Sequence, residues 1–287
     1  MLRVVALTIL VGALPFLNFA YAQESQESRE ESRESRVESQ WLDDYSQPVG
    51  LTYGVQMSLN TTYLWRGLYC GALNLQPTAN VGYGGLYLDV WGNIGTEDWS
   101  FRTFQPEIDL TLGFNRWGLD VHVLYIHNFK HGLFDLNYYD SGRNALELAL
   151  RYTVSSKLPL SLLWATRFTA ADSYVEDADT IRAYSSYCEL SYTHHFRYGM
   201  DLYGAIGITP WKSLYTGYQR GFAVQNIEIR LSHERSLSEH IGLRVQTTLS
   251  INPSALAADP ETVIWHPHSP SKQSINTNAS LTLFLKK

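Results

Sequence analysis

From about Leu51 onward, hydrophobic and polar residues alternate with period two. That is the repeat of a strand with one face against an apolar medium and the other against a polar one. The clearest stretch runs from Ile241 to Ile251. Ile241, Leu243, Val245, Thr247, Leu249 and Ile251 fall on one face, and Gly242, Arg244, Gln246, Thr248 and Ser250 on the other. The same alternation recurs around Leu86–Val90, Ile108–Phe114, Leu158–Phe168 and Ile275–Leu285. Twelve strands are predicted: 51–65, 75–83, 85–94, 104–115, 117–128, 144–154, 158–169, 182–196, 198–208, 222–233, 239–251 and 275–285. Strands of about ten residues cross a bilayer at a tilt.

The predicted connections alternate short and long. Gly84-Gly85, Asn115-Arg116, Ser155-Ser156-Lys157, Arg197-Tyr198 and the stretch around Ser236 are short. Those near 66–74, 95–103, 129–143, 170–181, 209–221 and 252–274 are long. Short periplasmic turns and long external loops mark an outer-membrane barrel, whereas a soluble β-sandwich explains the alternation but not this rhythm. The expected fold is therefore all-β: a transmembrane antiparallel up-and-down barrel of about twelve strands, both termini on the periplasmic side.

Charges decide which face is which. Glu107, Asp109, Glu147, Arg151, Arg167, Glu228, Arg230 and Arg244 all fall on the more polar face. A charged side chain on the lipid face costs roughly 2–4 kcal/mol at the bilayer midplane. The charged face is thus expected to line the lumen. Counting outward from the turn near Ser156 brings Glu147 opposite or diagonal to Arg167. The turn near residue 236 brings Glu228 near Arg244, with Arg230 beside them, so ion-paired rungs are expected inside the barrel.

The segment before the strands reads differently. Arg3, the apolar run Val4–Leu17 and Ala20-Tyr21-Ala22 form a signal peptide over residues 1–22, with cleavage before Gln23. Residues 23–48 form a low-complexity periplasmic tail, rich at its start in Gln, Glu, Ser and Arg and without an apolar face, and residues 49–287 the barrel. Charged residues are only 17% of the chain, and the net charge of −6 argues against a nucleic-acid partner. Two cysteines, Cys70 in a loop and Cys188 in mid-strand, are expected as free thiols.

Thr62-Tyr63-Leu64-Trp65-Arg66-Gly67, then Gln76-Pro77, then Gly85-Leu86-Tyr87-Leu88-Asp89-Val90-Trp91-Gly92 resemble the opening of the TorF-type porins, a family of small exported barrels. The match covers about an eighth of the chain; the remainder matches only as a strand pattern. The resemblance implies a porin-like role without naming a solute. One departure is that Phe284 is followed by Leu285, Lys286 and Lys287, where many such barrels end on an aromatic that the assembly machinery reads.

Candidate chemistry is sparse. His122 and His127 on one strand, with Asp109 next door, are the nearest approach to a hydrolase site, but no spacing singles out a nucleophile. His266 and His268 lack an evident third metal ligand, and period two sends His194 and His195 to opposite faces. Arg66, where the first strand enters its loop, reads as an interfacial anchor of the strand end beside Trp65 and Tyr63 in an aromatic girdle. Contact with an anionic solute or headgroup is its functional alternative. The expectation is porin-like passage of small polar solutes or ions through a narrow charged lumen lined by Arg66, Glu107, Asp109, His122, Glu147, Arg151, Arg167, Glu228, Arg230 and Arg244. The alternatives are a lipid or peptide hydrolase and a plugged structural barrel. No cofactor and no metal is expected; the expected partners are outer-membrane lipid, the barrel-assembly machinery and small polar solutes.

The mature protein is expected to begin at Gln23 and to fractionate with the outer membrane. N-terminal sequencing of the exported chain checks the first, and recovery in the soluble periplasmic fraction would refute the second.

Overall fold

The computed structural model describes residues 50–100, 104, 106–129, 144–169, 172–256 and 274–285. The signal-peptide and tail segments, His131, His266 and His268 lie outside the described residues. In chain order the strands are β1 (Leu51–Asn60), β2 (Tyr63–Trp65), β3 (Leu68–Gly71), β4 (Asn74–Tyr83), β5 (Leu86–Gly95), β6 (Glu107–Arg116), β7 (Leu119–Asn128) and β8 (Asn144–Thr153). They continue with β9 (Leu160–Arg167), β10 (Ser173–Glu176), β11 (Asp179–Arg182), β12 (Ser186–His195), β13 (Met200–Thr209), β14 (Ala223–Ser236), β15 (Ile241–Ile251) and β16 (Ile275–Leu285). A single helical turn, α1 (Pro253–Leu256), follows β15.

Twelve of these strands close into an antiparallel barrel in the order β1-β16-β15-β14-β13-β12-β9-β8-β7-β6-β5-β4. Each barrel strand pairs with its neighbours in sequence, and β1 seals the ring against β16 with Met57 opposite Leu283. Closure leaves no unpaired strand edge, which a sheet in lipid requires. The other four strands form two small hairpins, β2-β3 and β10-β11, both on the long-loop side.

The pairings put the apolar parity outside. Leu59, Val81, Leu88, Leu112, Val123, Leu148, Leu162, Leu190, Ile206 and Ile229 are all outward and exposed. Arg116 and Arg235 are the charged residues of outward parity on the described barrel strands, and both sit beside the short turns. Aromatic residues ring both rims: Tyr53, Tyr83, Trp117, Tyr152, Phe196 and Tyr198 at the turn side, and Phe168, Tyr184, Trp211 and Phe222 at the loop side. An uncharged apolar band between two aromatic girdles is the exterior of a membrane barrel. Cys70 and Cys188 are both free, as the sequence implied.

Two expectations need correction. The first strand does not run over 51–65; it ends at Asn60, and residues 61–73 leave the wall before β4 begins. The turn after β14 comes later than expected, with Glu234 opposite Arg244 and Glu228 opposite Ser250. Glu228 and Arg244 are therefore not neighbours. By contrast, Glu147 and Arg167 are direct register partners.

Labelling of intact cells tests the sidedness. In a cysteine-free background, a cysteine at Val175, exposed at the tip of β10-β11, should react with a membrane-impermeant maleimide. One at Lys157, in a short turn, should not. The reverse pattern would refute external long loops.

Candidate functional site: a hairpin across the lumen

Residues 61–73 fold into the barrel rather than away from it. At the base of the excursion, Thr61 N donates to Ala279 O (2.9 Å) and Ala72 N to Thr96 O (2.7 Å). Thr62 N donates to Asn278 Oδ1 at 3.1 Å. Strands β2 and β3 then pair, joined by Arg66-Gly67. Both turn residues have positive φ, 50° and 79°. That is the sign pattern of a tight primed hairpin turn, and it is a strained one for an arginine.

The hairpin touches the wall at several separate strands. Tyr63 donates to Glu107 of β6 at 3.4 Å and packs on Trp91 of β5, ring centres 5.4 Å apart. At the far side the Arg66 guanidinium makes a two-pronged bond to Glu147 of β8, Nη1 to Oε2 at 2.7 Å and Nη2 to Oε1 at 2.6 Å. Glu147 is fully buried, and the Arg66 side chain is 12% exposed. In the ring order β8, β9 and β12 lie opposite β1 and β4, the strands from which the hairpin springs. The hairpin thus bridges the lumen from wall to wall.

Aromatic rings complete the seat. The Arg66 guanidinium lies 4.7 Å from the Trp65 ring centre and 4.9 Å from that of Tyr187. Arg66 Nη1 also donates to the Tyr215 hydroxyl at 2.5 Å. Arg167, instead of pairing with Glu147, lies over the other occupant of this seat, 5.1 Å from the Trp65 ring centre. The apolar core of the molecule forms here, from Leu68 of the hairpin, Ala149, Leu163, Ala165 and Tyr187 of the inner wall, and Tyr215. Alanines at 149 and 165 leave the room that the hairpin fills.

Loop 210–222 holds Tyr215 in place. Asp172 accepts from Ser185 N (2.6 Å), Ser185 Oγ (2.5 Å) and the Tyr218 hydroxyl (3.1 Å), and Ser185 Oγ in turn accepts from Leu214 N (2.8 Å). Burial and then the Asp172 charge raise the Tyr218 phenol above its ordinary value, so it remains a neutral donor at physiological pH. The hairpin tip meets β14. A Cβ on Gly67 would lie 2.2 Å from Gln225 O, and Asn252 Nδ2 donates to Gly67 O at 3.3 Å. No side chain fits at that position.

The register places Glu107, Asp109, His122, Glu147, Arg151, Arg167, Glu228, Arg230 and Arg244 on inward parity. Arg66 is inside too, but through the hairpin: it clamps to the wall and does not anchor a strand end at the interface. The expected ion-pair rungs are re-partnered. Glu147 goes to Arg66, Glu228 to Arg230 two residues along its own strand, and Glu234 to Arg244 across β14-β15. His122 contacts Asp120 at 2.5 Å inside the barrel, whereas His127 has outward parity and contacts Asn144 at 2.6 Å. The two histidines do not share a site. Among the described residues no group of three metal-ligating side chains occurs.

Several lumen residues were missed in the sequence. Glu189 follows the inward parity of β12 and accepts from Tyr187 (2.7 Å) and Tyr203 (2.8 Å). Its strand position was the available signal. Glu234 was lost because the predicted strand stopped at 233. Trp65 stood in the motif but was read as part of an aromatic girdle, and Tyr215 carried no signal, since a loop's inward fold leaves no periodicity.

By sequence the chain matches no protein-family model and no curated protein. Similar solved structures include the NanC porin (TM-score 0.47, 8% identity, 82% of this chain and 100% of that one). Others are the KdgM porin (0.42, 7%, 82% and 99%) and an outer membrane channel from Pseudomonas putida (0.45, 14%, 84% and 97%). The barrel assignment rests on the strand pairings themselves, not on these likenesses.

Arg66→Ala should destabilise the barrel by about 3–5 kcal/mol, because it strands the buried Glu147 carboxylate without a counter-charge. The Arg66→Met, Glu147→Leu double variant should recover most of that loss. Urea unfolding in detergent micelles, followed by tryptophan fluorescence, checks both; equal stability of Arg66→Ala and wild type would refute the clamp.

Proposed function

We propose that the chain is an outer-membrane, porin-like barrel that passes small polar solutes or ions around the β2-β3 hairpin. The observation that carries this reading is the inner surface. Between the two rims it is lined by amide, hydroxyl and charged groups, and its main apolar cluster is the seat of one inserted hairpin. A barrel filled for structure alone interdigitates side chains through the interior. Here small residues such as Gly54, Ser58, Ser161, Ala205 and Ser280 face inward on strand after strand. An inward loop on a polar wall narrows a passage and sets a size limit.

This reading includes export by the 1–22 signal peptide. It also includes kinship with the TorF-type porins, which rests on the residue motif given above. The hairpin explains that motif: Tyr63, Trp65, Arg66 and Gly67 are the residues that seat it.

Purified protein in planar bilayers should give discrete, small conductance steps, and proteoliposomes should swell in small sugars or amino acids but not in large oligosaccharides. Gly67→Val, which cannot seat the hairpin tip, should raise the step size several-fold. Absence of conductance in both wild type and Gly67→Val would overturn passage in favour of a structural barrel.

A further inference from the structure

We propose that the passage is cation-selective, and that the determinant is the carboxylate wall of β5, β6 and β7. The inference rests on the passage reading and specifies what it passes. Over the described barrel strands, inward parity includes nine carboxylates, and five arginines face them, Arg66 of the hairpin included. The arginines are not spread evenly. Arg66, Arg230 and Arg244 are each spent on one carboxylate, Glu147, Glu228 and Glu234. Asp201 contacts His195 at 2.7 Å, and Glu189 is held by two tyrosine hydroxyls, neither of which cancels a charge when the histidine is neutral.

The remaining carboxylates are Asp89, Glu107, Asp109 and Asp120, on three adjacent strands. Two arginines border them from the next strands: Arg151, the register partner of Asp120, and Arg167, which the Trp65 ring holds. His122 contacts Asp120. Among the described residues the wall thus sets four carboxyl groups against two arginines. Glu107 and Asp109 lie two residues apart on the inward face of β6, and Asp109 Oδ1 is shielded from solvent and takes no hydrogen bond from the described groups. The position of the wall matters as much as its charge. Glu107 accepts from Tyr63 of the hairpin, so the Glu107 and Asp109 carboxylates flank the constriction itself.

The adjoining wall contrasts with this one. On β4, β1 and β16 the inward residues are amides, hydroxyls, glycine and Phe284, among them Gln56, Asn60, Gln76, Asn80, Asn278 and Thr282, without a formal charge. An ion passing the hairpin on this side thus meets the carboxyl groups of β5, β6 and β7 beside a neutral hydrogen-bonding surface on β4, β1 and β16. In a narrow low-dielectric passage a fixed net charge raises the local concentration of the opposite ion and excludes its own sign. Small cations and cationic organic solutes are the class favoured; anions are disfavoured.

The test is the reversal potential of single channels under a potassium chloride gradient at low ionic strength, where screening is weakest. Wild type should have the sign of a cation-selective pore and lose selectivity as salt rises. The Glu107→Gln, Asp109→Asn double variant should shift the potassium-to-chloride permeability ratio several-fold toward one, and so, separately, should Asp89→Asn, which does not touch the hairpin. Glu176→Gln, on the exposed β10-β11 hairpin, should leave it unchanged. Heat-modifiable migration on a detergent gel confirms that each variant is folded. Should the double variant fail that check, Asp89→Asn decides. Conductance with an anion-selective reversal potential, or with selectivity unmoved by folded wall variants, overturns this inference while passage stands. No conductance in any variant, Gly67→Val included, overturns passage and this inference with it.

Discussion

The buried bond between Arg66 and Glu147 is the interaction on which the interior depends. It joins residues far apart in sequence, from opposite sides of the ring, and both oxygens of the carboxylate are engaged. A carboxylate with no exposure inside a barrel is tolerable only when paired. The arginine that pairs it arrives from the hairpin, while the wall's own candidate, Arg167, lies over the Trp65 ring. Seating the hairpin and neutralising the wall are thus one event. The aromatic rings of Trp65, Tyr187 and Tyr215 exclude water around the guanidinium and strengthen the pair.

Around that bond the barrel divides its labour by parity. The outer face has one requirement, to be apolar between the rims, and it meets it with Leu, Ile, Val and aromatic residues on every strand. The inner face has to satisfy polar groups without filling the space. It does so by short-range bonding along and across strands, as in Ser58 with Thr282 at 2.9 Å, Thr153 with Ser161 at 2.7 Å, and Ser250 with Asn226 at 2.8 Å. Such ladders tie the inward polar side chains to one another along the wall. Close approach also shapes the wall: Gly207 and Gly242 lie where the rings of Tyr187 and Phe284 cross the neighbouring strand, and a Cβ at either would collide with them.

The hairpin crosses the interior of the twelve-strand ring. Its two flanks differ, one bordered by Glu107 and Asp109 and the other by the Tyr187–Glu189–Tyr203 group with Arg230 over the Tyr203 ring. A single inserted loop therefore has two chemically unlike flanks.

The period-two pattern by itself determined the twelve barrel strands, their faces and the alternation of short turns with long loops, because parity is local and lipid disfavours charge on the outer face between the rims. It also placed Glu147 opposite Arg167, since the turn between their strands is short and well marked. The register at β14-β15 was lost because Leu237, Ser238, Glu239 and His240 carry no sharp turn signature, so Arg244 was assigned to Glu228 and not to Glu234. The fate of Tyr63-Leu64-Trp65-Arg66-Gly67 could not be read at all. Alternation continues smoothly from β1 into this stretch, and nothing local distinguishes a strand that continues along the wall from one that bends into the lumen. Only the tertiary structure decided it, because the reason for the bend, a buried carboxylate awaiting its counter-charge, stands on β8 at the far side of the ring.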